Sequence, residues 1–437
     1  MITAVNLLAT TFGSVMKSVG GILLAVAILL VMVTIHEFGH YVAGKLLGFK
    51  INEFSVGFGP ALFKKRSKKA GEIFALRIIP LGGYCAFDGE DDDGEEENTD
   101  DKEHTKNAEN TGEGNRGEAI ESEPFAELNA DATLTKKEEE NQNEGGRDET
   151  NDVYPEPKGA RFNDQKPWKR IIVLLAGATM NYLLALVLLL IMFGSYGCIH
   201  SYVAYVGEGE APPVQENALS AKDIVLSVDG QDIYLATDYV DALSGTEAGE
   251  EIVVEILRRD ENGVWQEKTL HITALVDCDF QNMTQLSIAY EALGLNPEEY
   301  VFASVTLKEG FFETLGSSFV YSFKIGGTVL RSLGELITGR LGLSAMGGPV
   351  TTISVTAQAA SGGLLSFLNI AAFIGVNLAV FNLLPIPALD GCKVIFCLIE
   401  WIRKKPVNRK VETMIHFIGI IALFGFAILV DVLQLFW

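Results

Sequence analysis

The chain has 437 residues, 48% of them hydrophobic, and a formal net charge of −23. Its mean hydropathy of +0.23 is high for a soluble enzyme and low for a pure transporter; it suits a membrane protein with soluble parts. Residues 88–158 alone hold 26 acidic and 7 basic side chains, so the remainder is close to neutral, and no nucleic-acid partner is expected.

Residues 1–17 are a short, weakly amphipathic lead. Gly20 to Ile35 reads GGILLAVAILLVMVTI, without a charged residue, and opens a first span reaching about Leu47. That is long enough to cross a hydrocarbon core of about 30 Å. The run is too long for a cleavable signal and lacks a small-residue cleavage pattern. Inside it lies His36-Glu37-Phe38-Gly39-His40. On a helix, His36 and His40 at i and i+4 share one face, about one turn apart. Two imidazoles so spaced can bind one Zn²⁺, with Glu37 facing the open side of the metal as a general base. A membrane helix carrying three ionisable groups without purpose is the competing reading. Each such group costs roughly 2.5–3.5 kcal/mol on the lenient insertion scale, which argues against it.

Lys45 and Lys50 follow the span, then Lys64-Lys65-Arg66 and Lys68-Lys69. The positive-inside rule makes this end cytoplasmic. The histidines precede Lys45 by 5–9 residues, which sets the site roughly 8–14 Å into the membrane. Residues 50–87 alternate and are glycine-rich, as in FSVGFGPALF and EIFALRIIPLGGYCAF. They read as a β-hairpin dipping towards the membrane beside the site, since irregular backbone at depth needs protein or a cavity around it. Residues 88–160 are low-complexity and acidic, and read as a disordered cytoplasmic insert.

Trp168-Lys169-Arg170 opens a second span over Ile171 to about Phe193, with Asn181 inside it. A lone membrane Asn more often bonds a neighbouring helix than a substrate. Residues 199–277 are extracytoplasmic by this topology. They carry short strands (DIVLSVDGQDI, EIVVEILRRD, WQEKTLHITA) and a helix near Thr237 to Leu243, the order of a small PDZ-type module that binds extended peptide at a sheet edge. Residues 300–345 read as an amphipathic juxtamembrane helix. Leu364 to about Leu384 is a third span, closing with NLLPIPALDG, and Ile415 to Val430 or beyond is the fourth. Arg403, Lys404, Lys405, Arg409 and Lys410 lie between these two and return that loop to the cytoplasm.

Two histidines leave a catalytic zinc one protein ligand short. Asp390 is the best candidate, at the cytoplasmic end of the third span and at a depth similar to the histidines. Pro385 and Pro387 break the helix there, and a metal would neutralise a carboxylate that is costly to bury alone. Capping of the next helix is the alternative for Asp390, and Asp431, on the far side of the membrane, is its rival as ligand. The five cysteines (Cys85, Cys198, Cys278, Cys392, Cys397) have no metal spacing. A Cys198–Cys278 disulfide is open but unsupported.

With HEFGH in the first span, PLGGY in the hairpin, one PDZ-like module and NLLPIPALDG in the third span, the chain resembles the site-2 protease family of intramembrane zinc metalloproteases. Within it, it is similar to the bacterial RseP-like and RasP-like branch that cuts anti-sigma factors. The resemblance covers nearly everything outside 88–160. It implies that His36, His40 and Asp390 hold zinc, that Glu37 is the base, and that Asn382 helps hold substrate backbone. It further implies that the hairpin edge at Gly82, Gly83 and Tyr84 pairs with an unwound substrate helix. Cys392 stands where many relatives carry a second glycine, and Ala178 where a proline is common.

The expected fold is therefore a polytopic α-helical membrane protein with about four transmembrane helices, a membrane-associated β-hairpin and one extracytoplasmic PDZ-like α+β domain. The expected division is 1–49 (first span), 50–87 (hairpin), 88–160 (insert), 161–197 (second span), 198–299 (PDZ-like domain), 300–363 (amphipathic region), 364–402 (third span) and 403–437 (fourth span). The expected activity is hydrolysis of peptide bonds within single-pass transmembrane substrates, such as anti-sigma factors or remnant signal peptides, by a multi-pass protein of the bacterial plasma membrane. A non-proteolytic membrane adaptor working through the PDZ-like module is the alternative; Glu37 argues against it, because a structural metal site has no use for a base.

Overall fold

The computed structural model describes residues 2–90, 154–282, 285–342 and 347–434. The expectation of disorder at 88–160 falls mainly on residues 91–153, which lie outside the described residues.

Among the described residues, four helices are long and apolar enough to cross a membrane. They cover Val19–Leu47, Pro167–Tyr196, Leu364–Leu383 and Arg409–Gln434. The first belongs to α1 (Ile2–Leu47) and the second is α2 (Pro167–Tyr196). Pro167 starts α2 where its missing N–H costs nothing. Gly197 ends it with φ +101° and an N–H bond to Phe193 O of 2.8 Å. A side chain at Gly197 would also strike the Leu307 backbone at 2.5 Å, so glycine is required on two counts.

Between α1 and α2, β1 (Ile51–Arg66) and β2 (Ile73–Phe87) form a sheet more folded than a hairpin. Each long strand bends into two arms. Ser55 faces both Tyr84 and Ala75, while Lys64 faces Ala75 from the other side. The arm over 83–87 is thus an outer edge of a four-armed sheet, and it is the arm nearest α1. The two-strand expectation missed this because a bulged, glycine-broken strand can pair on both sides. Arg77 ties the arms together. It donates to Glu53 Oε1 (2.6 Å), Tyr84 OH (2.8 Å), Ser55 Oγ (2.9 Å) and Gly59 O (2.7 Å).

The β-rich module follows α2 with β3 (Cys198–Tyr205), β4 (Ile224–Val228), β5 (Gln231–Asp232), α3 (Ala236–Leu243), β6 (Glu251–Arg259), β7 (Trp265–Thr273), α4 (Leu286–Ala292) and β8 (Tyr300–Leu307). The sheet order is β7-β6-β4-β3-β8, with β5 on β4. Inward residues alternate along β6, where Ile252, Val254 and Ile256 are buried, as a half-covered strand requires. Tyr239 stacks on Phe302 at 3.9 Å and donates to Ser201 Oγ. Arg258 is buried and paired with Asp223 at 2.6 Å, and it also donates to the carbonyls of Gln215 and Ala218.

Residues 300–307, read from sequence as the start of an amphipathic helix, instead form β8, paired with β3 from Cys198↔Leu307 to Tyr205↔Tyr300. Their run of aromatic and β-branched residues suits a strand. The helix begins later, as α5 (Phe311–Ile337). Its Tyr321 and Ile325 pack with Leu189, Phe193, Leu368 and Val376 of two spans. Its Lys324 reaches back to Asp238 of the module at 3.1 Å. The five cysteines are all free and buried, so the Cys198–Cys278 disulfide is not formed.

Next come α6 (Pro349–Ser361), α7 (Leu364–Leu383), α8 (Asp390–Arg403) and α9 (Arg409–Gln434). α7 stops before Pro385, as the residue preceding a proline disfavours helix. The chain turns through Ala388 at φ +85°. Buried Glu400 of α8 pairs with Arg170 of α2 and with Arg409 of α9 (3.0 Å). Of α9 only Val430 is buried; its apolar surface is what a lipid-facing helix presents.

Candidate active site and metal centre

α1 and α2 cross closely because small residues meet there. A Cβ on Gly39 would lie 2.4 Å from Ala176 O, and one on Gly177 would lie 2.5 Å from His40 Nε2. Small residues at a crossing let membrane helices approach. The crossing brings the two histidines of α1 under α2, and the Pro-broken turn after α7 delivers Asp390 at the start of α8.

Among the described residues, His36, His40 and Asp390 form a group able to hold a metal, their ligand atoms all within 4.8 Å of one another. Asp390 Oδ2 lies 2.9 Å from His36 Nε2 and 3.3 Å from His40 Nε2, and the two Nε2 atoms are 3.1 Å apart. A tetrahedral ion with bonds of about 2.0–2.1 Å has ligand–ligand edges of about 3.3 Å. All three separations are close to that edge. Both histidines are buried. His40 donates Nδ1–H to Val173 O at 2.8 Å, which leaves its Nε2 lone pair directed at the group. Converging lone pairs and a carboxylate away from water call for a cation, and the site fits zinc.

Asp390 does not cap α8: the cap is Leu389, and no side-chain capping bond is present. Its rival Asp431 is engaged elsewhere, accepting from Val350 N–H (3.2 Å) at the start of α6.

His36, Glu37, His40 and Asp390 line one cavity of about 390 Å³, together with Tyr84, Cys85, Ala86 and Phe87 of the outer sheet arm. Gly83 sits against Glu37, where a Cβ would stand 3.3 Å from Glu37 Cγ. Gly82, at φ +117°, packs instead on the Phe58 ring. Tyr84 donates to Glu53 Oε1 at 2.8 Å; burial, then this bond, pushes its phenol above the ordinary range. The bond to Glu53 raises the Arg77 guanidinium further still, so the charge that braces this arm is permanent. Lys393 of α8 also lines the cavity and bridges Glu90 at 2.7 Å. Asn382 is half-buried on the last turn of α7 and is not among the cavity-lining residues. Gly177, Asn181 and Lys393 were not singled out as site residues by the sequence. The close-packing signature AGA around Gly177 was the available clue.

A membrane-helix crossing that gathers two histidines, an aspartate and a glutamate in one cavity defines a membrane metallohydrolase. The chain belongs to peptidase family M50, whose profile matches residues 24–426. It is 29% identical over 413 residues to the Regulator of sigma-W protease RasP of Bacillus subtilis, covering 89% of this chain and 92% of that one. It is 28% identical over 420 residues to the Zinc metalloprotease RasP of Bacillus licheniformis, again over 89% and 92%. It is thus a zinc metalloprotease of the site-2 type, and a membrane protein.

Proposed function

We propose that the protein cleaves single-pass transmembrane substrates within the bilayer, at a zinc held by His36, His40 and Asp390, with Glu37 as the base. The observation that carries this reading is the convergence of those three ligand atoms in the cavity that Glu37 shares with the outer sheet arm. Bound zinc supplies Lewis acidity, polarising the scissile carbonyl and lowering the pKa of water towards about 7. Glu37 takes the proton from water and delivers it to the leaving amine. The free edge over 83–87 holds substrate backbone extended, with Gly82 and Gly83 keeping side chains out of the way and Tyr84 lining the cavity. Asn382 contributes to substrate binding from the end of α7 once a substrate helix has entered.

The proposed setting is the bacterial plasma membrane, with the site near the cytoplasmic face and the β-rich module outside. Lys45, Lys50, Arg170 and the 403–410 basic cluster support that orientation. The module serves as a PDZ-type domain, and the division of the chain follows the eight segments set out from the sequence, with the module extended to Leu307 because β8 belongs to its sheet. Anti-sigma factors and remnant signal peptides are the proposed substrate classes; the name of the Bacillus subtilis relative supports the first.

Cleavage of a model single-pass substrate by purified protein in detergent tests this. Glu37→Gln should lose cleavage by at least about 10²-fold while zinc stays bound. Near-normal cleavage by that variant would overturn the mechanism.

A further inference from the structure

Asn181 of α2 is 1% exposed. Its carboxamide nitrogen lies 3.3 Å from His36 Nδ1, and its Oδ1 is buried without a hydrogen-bond partner. A carboxamide's oxygen and nitrogen are distinguished only by the bonds they make. With nitrogen towards Nδ1, the amide donates, and the neutral ring must carry its proton on Nε2. That is the atom facing Asp390 Oδ2 at 2.9 Å and His40 Nε2 at 3.1 Å, and a protonated Nε2 has no lone pair for a metal. Rotating the carboxamide by half a turn removes both conflicts. Oδ1 then gains the donor it lacks, and Nε2 is left bare.

We propose that Asn181 is a positioning residue of the metal centre: its Oδ1 accepts Nδ1–H of His36 and fixes the ring in the tautomer and orientation that ligate. The arrangement parallels that of His40, whose Nδ1–H is held by Val173 O. Both acceptors come from α2, so a helix that gives the metal no ligand orients both histidines. A ligating histidine commonly donates its other ring N–H in this way, and losing the acceptor typically costs 10–100-fold in metal affinity.

The inference rests on His36 being a ligand, and the test separates the two. Zinc affinity of the full chain in detergent is measured by competition with a chromophoric chelator for wild type, Asn181→Leu, Asn181→Asp and His36→Ala. The metal-free forms are melted in parallel. Asn181→Leu should bind zinc about 10–100-fold more weakly with an unchanged metal-free melting temperature. Asn181→Asp, which keeps an acceptor, should bind at least as tightly as wild type. Wild-type affinity in Asn181→Leu overturns the proposal, as does Asn181→Asp weakening zinc as much as Leu does. If Asn181→Asp does not fold, Asn181→Leu decides alone by the same two readouts. Wild-type affinity in His36→Ala would instead overturn the ligand assignment beneath it.

Discussion

Gly177 on the second span faces the ring of His40 on the first so closely that a methyl group there would stand 2.5 Å from Nε2 and 2.7 Å from Cε1 of His36. The backbone of one helix is therefore the wall of the proposed metal centre on the other. Gly177→Ala should leave the protein inserted and folded but lower its zinc affinity by more than about tenfold, because both rings must turn away. Metal analysis of the purified variant checks this.

The histidine spacing, the charge-free run around it and the Pro-broken turn before Asp390 were legible because each is local. Asp390 was matched to His36 through membrane depth, a constraint that soluble chains do not offer, and through the NLLPIPALDG motif. Gly177 and Asn181 were not legible as site residues, since their roles exist only where α1 and α2 cross. The sheet over 51–87 was read as a hairpin because local alternation does not reveal that Ser55 has partners on both sides. β8 was absorbed into the helix after it because YVFASVTL is as apolar as that helix; its β-branched residues were the available clue, and its pairing with β3 decides.

Gly83 gives a second test of the cavity. A side chain there would meet Ser55 O at 2.8 Å and Glu37 Cγ at 3.3 Å. Gly83→Val should displace Glu37 and cut cleavage by about tenfold or more, as misplacing a catalytic group by an ångström does. Zinc content should stay at the wild-type level, since Glu37 is proposed as the base and not as a ligand. Parallel metal and activity measurements report both outcomes.

The buried Arg170–Glu400 pair joins α2 to α8 behind the site. Removing one partner from such a pair strands a charge and costs about 3–5 kcal/mol. Glu400→Leu should therefore lower the melting temperature markedly, and the double variant Arg170→Met/Glu400→Leu should recover most of the loss. Thermal unfolding in detergent compares the three.

Burial, reinforced by Glu309, pushes the Cys198 thiol up to about 12. The reactive form is the thiolate, and at pH 8 it would be about one part in 10⁴ of such a thiol. Because the pKa is raised, reactivity should grow only as pH climbs towards that value. N-ethylmaleimide at pH 7–8 should leave Cys198 unlabelled in the folded protein and label it at once in denaturant, without reductant. A requirement for reductant would mean that a disulfide forms.

The position of the cut tests the central claim most directly. His36 and His40 lie 9 and 5 residues before Lys45, so the proposed orientation would set the chemistry roughly 8–14 Å inside the cytoplasmic face of the membrane. A single-pass substrate reconstituted with the protein in liposomes is cleaved and its fragments are mapped by mass spectrometry. The account predicts one main cut inside the transmembrane segment, in its cytoplasmic half. Cutting confined to sequence outside the hydrophobic segment, or in the half next to the β-rich module, would contradict it.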